Sequence, residues 1–204
     1  MEQLTYLPQV AFRGARNYVH STTMYEQLIQ GARSLGLQIG GPLDMRVNRL
    51  ITKQPRFLFT TDEVDGNAEQ AAIISFHAGE NRWNCLISER DESVEQSEAY
   101  NEGPIREQAV VEGQTIRLNG GVDAKPFEIV TSLTLQLHNA LLSIPSDRKW
   151  YLARIQLERL LSDDDKERLR ITLVKKSGIR LTRCAIASGD TSIGTIDFML
   201  GSLG

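Results

Sequence analysis

Val19-His20-Ser21-Thr22-Thr23-Met24-Tyr25-Glu26-Gln27-Leu28-Ile29-Gln30-Gly31-Ala32-Arg33-Ser34-Leu35-Gly36 carries the plainest helical pattern in the chain. Tyr25, Leu28, Ile29, Ala32 and Leu35 recur on a 3.6-residue period and form one apolar stripe. Glu26, Gln27, Gln30, Arg33 and Ser34 fall on the other side. Thr23 with Glu26 three residues later has the spacing of a capping box, in which each side chain satisfies an open N–H of the first turn. Ser21 is a second N-cap candidate. Gly36 suits the residue that leaves a helix with φ > 0. A one-sided stripe needs a partner, most simply the face of a sheet.

Strand signals surround this helix. Residues 8–19 look extended and lead into His20. Residues 37–42 make a Gly-rich turn. A strand is expected at 45–54, with Met45, Val47, Arg49 and Ile51 on one face. Residues 60–70 are polar, with Asp65-Gly66-Asn67 as turn chemistry. Residues 71–76 and 83–87 form an expected hairpin around 77–81. Residues 89–108 open on an acidic run with few apolar side chains and are expected to be an exposed loop. A short strand follows at 114–119, closed by Gly120-Gly121.

The second half repeats this order. Phe127, Ile129, Thr131, Leu133, Leu135 and Leu137 alternate with Glu128, Val130, Ser132, Thr134 and Gln136, which predicts a strand. A short helix is expected from His138 to Ile144, stopped by Pro145. Strands at 150–157, 169–174, 179–187 and 194–200 complete the unit. His20 aligns with His138, Arg49 with Arg154, and residues 115–120 with 195–200. The expectation is an α+β chain of two tandem strand-helix-strand-strand-strand-strand units, residues 1–121 and 122–204, each an antiparallel sheet on one helix. The two together would make one compact body. This order resembles the hotdog architecture, and two copies would resemble a hotdog dimer in one chain.

Composition narrows the partners. The 204 residues carry 23 basic and 26 acidic side chains, a net charge of −3, and 41% hydrophobic residues. That balance makes nucleic acid an unlikely partner, and the basic strands lack the interleaved aromatics of a base-stacking platform. No apolar run reaches the roughly 18 residues of a membrane span, so no membrane is expected. The first residues lack the basic-then-apolar pattern of a secretory signal. Cys85 and Cys184 sit in apolar contexts and suit buried free thiols, so a cytoplasmic location is expected. No phosphate-cradling Gly loop and no paired Cys or His spacing occurs. Neither a cofactor nor a metal is expected, and Asp163-Asp164-Asp165 is taken as a solvated turn.

His20 and His138 are the candidate catalytic residues. A histidine preceding a helix meets its positive dipole end, which favours the neutral ring. Such a ring can take a proton or polarise a carbonyl. Ser21, Thr22, Arg49 and Arg154 are the candidate ligand-binding residues, the arginines because two basic strand regions could meet phosphates. These regions hold Arg46, Arg49, Lys53 and Arg56, and Lys175, Lys176, Arg180 and Arg183. Few titratable groups converge, so the expectation is a non-catalytic binding or assembly protein, its partner a second copy or another assembly subunit. The alternative is a hotdog-like hydrolase or dehydratase for acyl thioesters on coenzyme A or an acyl carrier, with an acyl thioester as ligand and His20 at the helix N-terminus.

Overall fold

A computed structural model describes residues 2–64 and 69–202. The turn expected at Asp65-Gly66-Asn67 lies outside the described residues. The chain divides into two compact units, residues 1–100 and 101–204. The division falls ahead of the expected one at 121/122, because residues 115–117 pair with the second unit's sheet.

The first unit runs β1 (Gln3–Tyr6), β2 (Phe12–Arg13), α1 (Ser21–Ser34), β3 (Ile39–Val47), β4 (Lys53–Thr60), β5 (Ala72–Ala78), β6 (Asn81–Ser93) and β7 (Ser97–Glu98). Its antiparallel sheet has the order β1-β4-β6-β5-β3, and β2 pairs in parallel with β7 apart from it. The expected hairpin is present as β5 and β6, with Gly79 at φ 61. Helix α1 buries Met24, Tyr25, Leu28 and Ala32, toward a core that includes Met45, Phe57, Phe59 and Ile74. Its end is a Schellman motif. Gly36 has φ 76 and donates to the Arg33 carbonyl, while Leu37 N–H reaches the Ala32 carbonyl at 2.8 Å. Its start differs from expectation. His20, not Thr23, is the extended N-cap residue, and no side chain caps the helix. Glu26 is drawn away because the buried Arg13 guanidinium donates to it at 3.0 Å.

The second unit runs α2 (Gly103–Glu107), β8 (Ala109–Glu112), β9 (Thr115–Leu118), α3 (Pro126–Leu141), β10 (Arg148–Leu157), a 3-10 turn (Asp163–Arg168), β11 (Leu169–Ser177), β12 (Leu181–Ser188) and β13 (Thr191–Ser202). Its sheet has the order β8-β9-β11-β12-β13-β10. Each unit therefore has the expected order of strand, helix and four strands, with a short addition or two, but not from all the expected residues: the strand expected to close the first unit at 114–119 is β9 of the second. The repeat holds for element order but not for sheet order. In the first unit the last long strand, β6, lies between β4 and β5. In the second, β11, β12 and β13 lie side by side in sequence order.

Further expectations are corrected. The strand expected at 45–54 is broken between β3, which ends at Val47, and β4, which begins at Lys53, and the turn expected at 37–42 runs into β3. The alternating run 127–137 is not a strand but most of α3. Pro126 sits in its first turn, and Lys125 N–H donates to the Glu128 carboxylate at 3.1 Å, closing the start. The Thr131 and Thr134 hydroxyls fold back onto the carbonyls of Phe127 and Val130, which lets them be buried within a helix. Residues 89–108 are not a loop throughout. Glu89 lies in β6, where its carboxylate accepts from the N–H groups of Thr52, in the break between β3 and β4, and of Lys53, the first residue of β4.

Gly194 on β13 stands opposite Leu157 at a bulge. A Cβ there would lie 1.9 Å from the Gln156 carbonyl oxygen, a backbone atom that cannot swing aside. Gly194→Ala is expected to cost about 2–3 kcal/mol, in the range of other overpacking changes, read as a lowered urea midpoint at unchanged m-value.

Candidate active site at the N-terminus of the first helix

The site is built around Arg13, which is only 5% exposed although charged. Strand β2 presents it, and the parallel pairing of Arg13 with Glu98 on β7 brings residues 97–100 alongside. Gly14, at φ 61, turns the chain back toward α1. The guanidinium is held by hydrogen bonds and an ion pair. Nη2 donates to Glu26 Oε1 at 3.0 Å, Nε meets Glu98 Oε1 at 3.2 Å, and Nη1 donates to Thr22 Oγ1 at 2.9 Å. The Tyr100 ring takes the guanidinium of Arg13 at 5.2 Å and that of Arg16 at 5.0 Å from its centroid. Burying Arg13 is tolerable because two carboxylates and a hydroxyl replace its water.

Thr22 connects this cluster to His20. Thr22 Oγ1 lies 2.7 Å from His20 Nδ1. Since Arg13 Nη1 already donates to that oxygen, the hydroxyl proton is directed to His20 Nδ1, and the ring proton is placed on Nε2. The opposite tautomer would leave the hydroxyl proton of a fully buried threonine unbonded. Nε2 has no hydrogen-bonding partner among the described residues. The ring, 7% exposed, leans on Tyr100 at 5.5 Å. Burial chiefly, then the charges of Arg16 and Arg13, lower its pKa to about 3. His20 is therefore neutral at ordinary pH and offers an N–H, not a lone pair. Beside it, the N–H groups of Ser21, Thr22 and Thr23 precede the first helical hydrogen bond, from Met24 N to the His20 carbonyl at 3.1 Å. The buried Thr23 hydroxyl has no hydrogen-bonding partner among the described residues.

The other sequence candidates go elsewhere. Ser21 opens α1 but its side chain makes no cap. Arg49 lies between β3 and β4 and is held by Glu89 at 2.5 Å. Glu89 is lowered to about 2, because the hydrogen bonds from Thr52, Arg49 and Lys53 outweigh the burial that would raise it. Arg154 lies on β10 opposite Asp197, which pairs bidentately with Arg183. His138 does not precede a helix, because the expected strand before it is α3; it sits in that helix's last turn. Its Nε2 is 3.6 Å from Cys184 Sγ, and Trp150 and Phe198 pack on its ring at 4.8 and 5.5 Å. Burial lowers His138 to about 4 and, with the charge of Asp197, raises Cys184 to about 12, so both stay neutral and form no nucleophile pair. The alignments of His20 with His138 and of Arg49 with Arg154 therefore do not join equivalent positions.

Both buried histidines set a pH dependence. Each is neutral when folded and takes a proton at about 6.5 when unfolded. Stability is thus unaffected by them above pH 6.5 and falls as pH drops from 6.5 toward 4, by up to ~1.4 kcal/mol per pH unit for each. Urea midpoints measured across that range are the check, and His20→Gln is expected to reduce the slope.

No protein-family model matches the chain, and no curated protein matches it by sequence. Solved structures resemble it at low identity. A Lactobacillus plantarum protein described as an oleoyl thioesterase is 9% identical, with 99% of this chain and 96% of that one covered and a TM-score of 0.48. A pyran synthase domain from the sorangicin pathway is 12% identical, with 99% and 94% covered and a TM-score of 0.48. A hot dog fold protein of Alicyclobacillus acidocaldarius is 12% identical, with 99% and 93% covered and a TM-score of 0.46. The likeness is one of fold. Element order and the single long helix on each antiparallel sheet make this chain a tandem hotdog-like α+β protein. The expectation of a non-catalytic binding or assembly protein is corrected, since two of the proteins just named are described as a thioesterase and a synthase. Among the described residues no helix is long and apolar enough to cross a membrane.

Proposed function

We propose that the chain hydrolyses an acyl thioester, with the carbonyl polarised at the N-terminus of α1. One observation carries this reading: His20 is buried and neutral, with Nδ1 occupied by Thr22 and an unpartnered Nε2–H beside the open N–H groups of the first turn. Those donors suit the oxygen of a thioester carbonyl as water adds and negative charge develops on it. The attacking water gives its proton to solvent as the C–O bond forms, and the collapse of that adduct breaks the C–S bond and expels a thiolate, which takes a proton from solvent to leave acid and thiol. Thr22 and Arg13 act as positioning residues, because they hold the tautomer without touching the reacting atoms.

The same geometry favours hydrolysis over dehydration. A dehydratase must take a proton from the carbon next to the carbonyl. His20 has no free lone pair for this, and Glu26 and Glu98 are both held by Arg13. The test is thiol release from a series of acyl-CoA esters of increasing chain length. Turnover that depends on His20 supports the reading, and absence of thiol release from every ester sinks it.

A further inference from the structure

Net charge hides a local concentration of the opposite sign. The end of the β11–β12 hairpin, Val174-Lys175-Lys176-Ser177-Gly178-Ile179-Arg180-Leu181, holds three cations and no carboxylate. Lys175, Lys176 and Arg180 form no ion pair among the described residues. By contrast, Arg46, Arg49 and Lys53 on the first unit are matched to Asp44, Glu89 and Asp91. The apolar residues of the hairpin are turned to water. Ile179 is 70% exposed, Val174 54% and Leu181 40%. Gly178, at φ 57, makes the turn that puts Ile179 at the tip. Strand β9 pairs with β11 only through Thr172, and the last bond on that side joins Leu173 N–H to the Gln114 carbonyl, so the tip projects beyond it. Beside the hairpin lies a cavity of about 360 Å³, walled by Leu141, Leu142, Leu173 and Val174 and edged by Lys175 and Lys176.

We propose that this hairpin docks the protein on an anionic lipid surface. The tip offers an apolar point to the headgroup boundary, the three cations lie where lipid phosphates would be, and the leucine-walled cavity with two ammonium groups suits one lipid's chain and headgroup. A protruding apolar tip ringed by cations fits a deformable lipid surface better than the flat, packed patch of a protein partner. The attachment would be reversible, each cation contributing roughly fivefold to binding at low salt. The proposal is independent of the hydrolase reading, since none of these residues belongs to the His20 site.

The test is co-flotation of the full chain with vesicles of equal parts phosphatidylcholine and phosphatidylserine, against phosphatidylcholine alone. Binding to the mixed vesicles that weakens with added salt is expected. Lys175→Glu with Lys176→Glu should weaken it by about 25-fold or more, from two lost cations, and Ile179→Asp should also reduce it. Circular dichroism should stay unchanged, because these side chains are exposed. No flotation with the mixed vesicles, or flotation indifferent to both variants, overturns the proposal. So does capture by an acidic acyl carrier protein through Lys175 and Lys176 in the absence of any vesicle binding, which would assign the hairpin to a protein partner.

Discussion

His20→Ala is expected to lower kcat for acyl-CoA hydrolysis by about 10²–10³-fold, the loss typical of removing one oxyanion donor. KM should change little, because a donor aimed at developing charge contributes mainly in the transition state. The fold should survive, because Arg13 keeps Glu26, Glu98 and Thr22 as partners. Thr22→Val supplies a second reading of the same idea. It keeps the imidazole but removes the hydroxyl proton that occupies Nδ1. The ring can then adopt the other tautomer, and kcat should fall by a smaller factor, with Thr22→Ser restoring it. A structural role for Thr22 would lower stability without that rescue in kcat. An activity equal in wild type and His20→Ala would remove the histidine from the mechanism. The pH profile carries a further check. Because His20 takes a proton only near pH 3, its ionisation should leave no inflection in kcat/KM between pH 5 and 8.

How much of this was legible in the sequence depends on how each element is buried. Helix α1 could be found because it is buried on one side and its apolar stripe has a helical period. Helix α3 could not, because it buries Phe127, Ile129, Val130, Leu133 and Leu137 together with Thr131, Ser132 and Thr134. A helix buried on most sides has no polar face to set its period, and hydroxyls bonded to their own backbone look like the polar half of a strand. At the site, His20 and Thr22 are neighbours in sequence and were both candidates. Arg13 was not, since one charged residue in a short apolar stretch carries no mark of burial. Its partners Glu98 and Tyr100 come from the far end of the unit, in a segment whose acidity suggested solvent. Only the β2–β7 pairing brings them together. A buried cation needs carboxylates, so an acidic run elsewhere in the same unit is a signal for one, though not for which residues meet.

The same lesson gives the largest stability effect expected in the chain, at a residue the sequence placed in water. Asp165 is 1% exposed. Its carboxylate accepts both Arg159 Nη1 and Nη2 at 2.7 Å, the Ser162 N–H at 2.9 Å and the Ser162 hydroxyl at 3.0 Å. The Arg159 hydrogen bonds above all hold its pKa well below the ordinary 3.8, with the contacts from Ser162 and Ser188 adding to them against burial. Asp165→Ala is expected to cost about 3–4 kcal/mol, because it leaves the Ser162 N–H without its acceptor and the 3-10 turn without its centre. Arg159→Ala should cost less, since the Arg159 side chain is half exposed and the carboxylate keeps its Ser162 bonds. Asp165→Asn separates charge from shape: an amide oxygen can still accept from Ser162 but cannot hold Arg159 bidentately, so the cost should be intermediate. The sign of the pH dependence is fixed by the lowered pKa. Stability from Asp165 is present above the unfolded value of about 3.8 and is lost as pH falls below it. Urea midpoints of wild type and Asp165→Ala should therefore differ most near neutrality and converge in acid. A gap that persists unchanged below pH 3 would mean that the residue acts through packing alone and not through its charge.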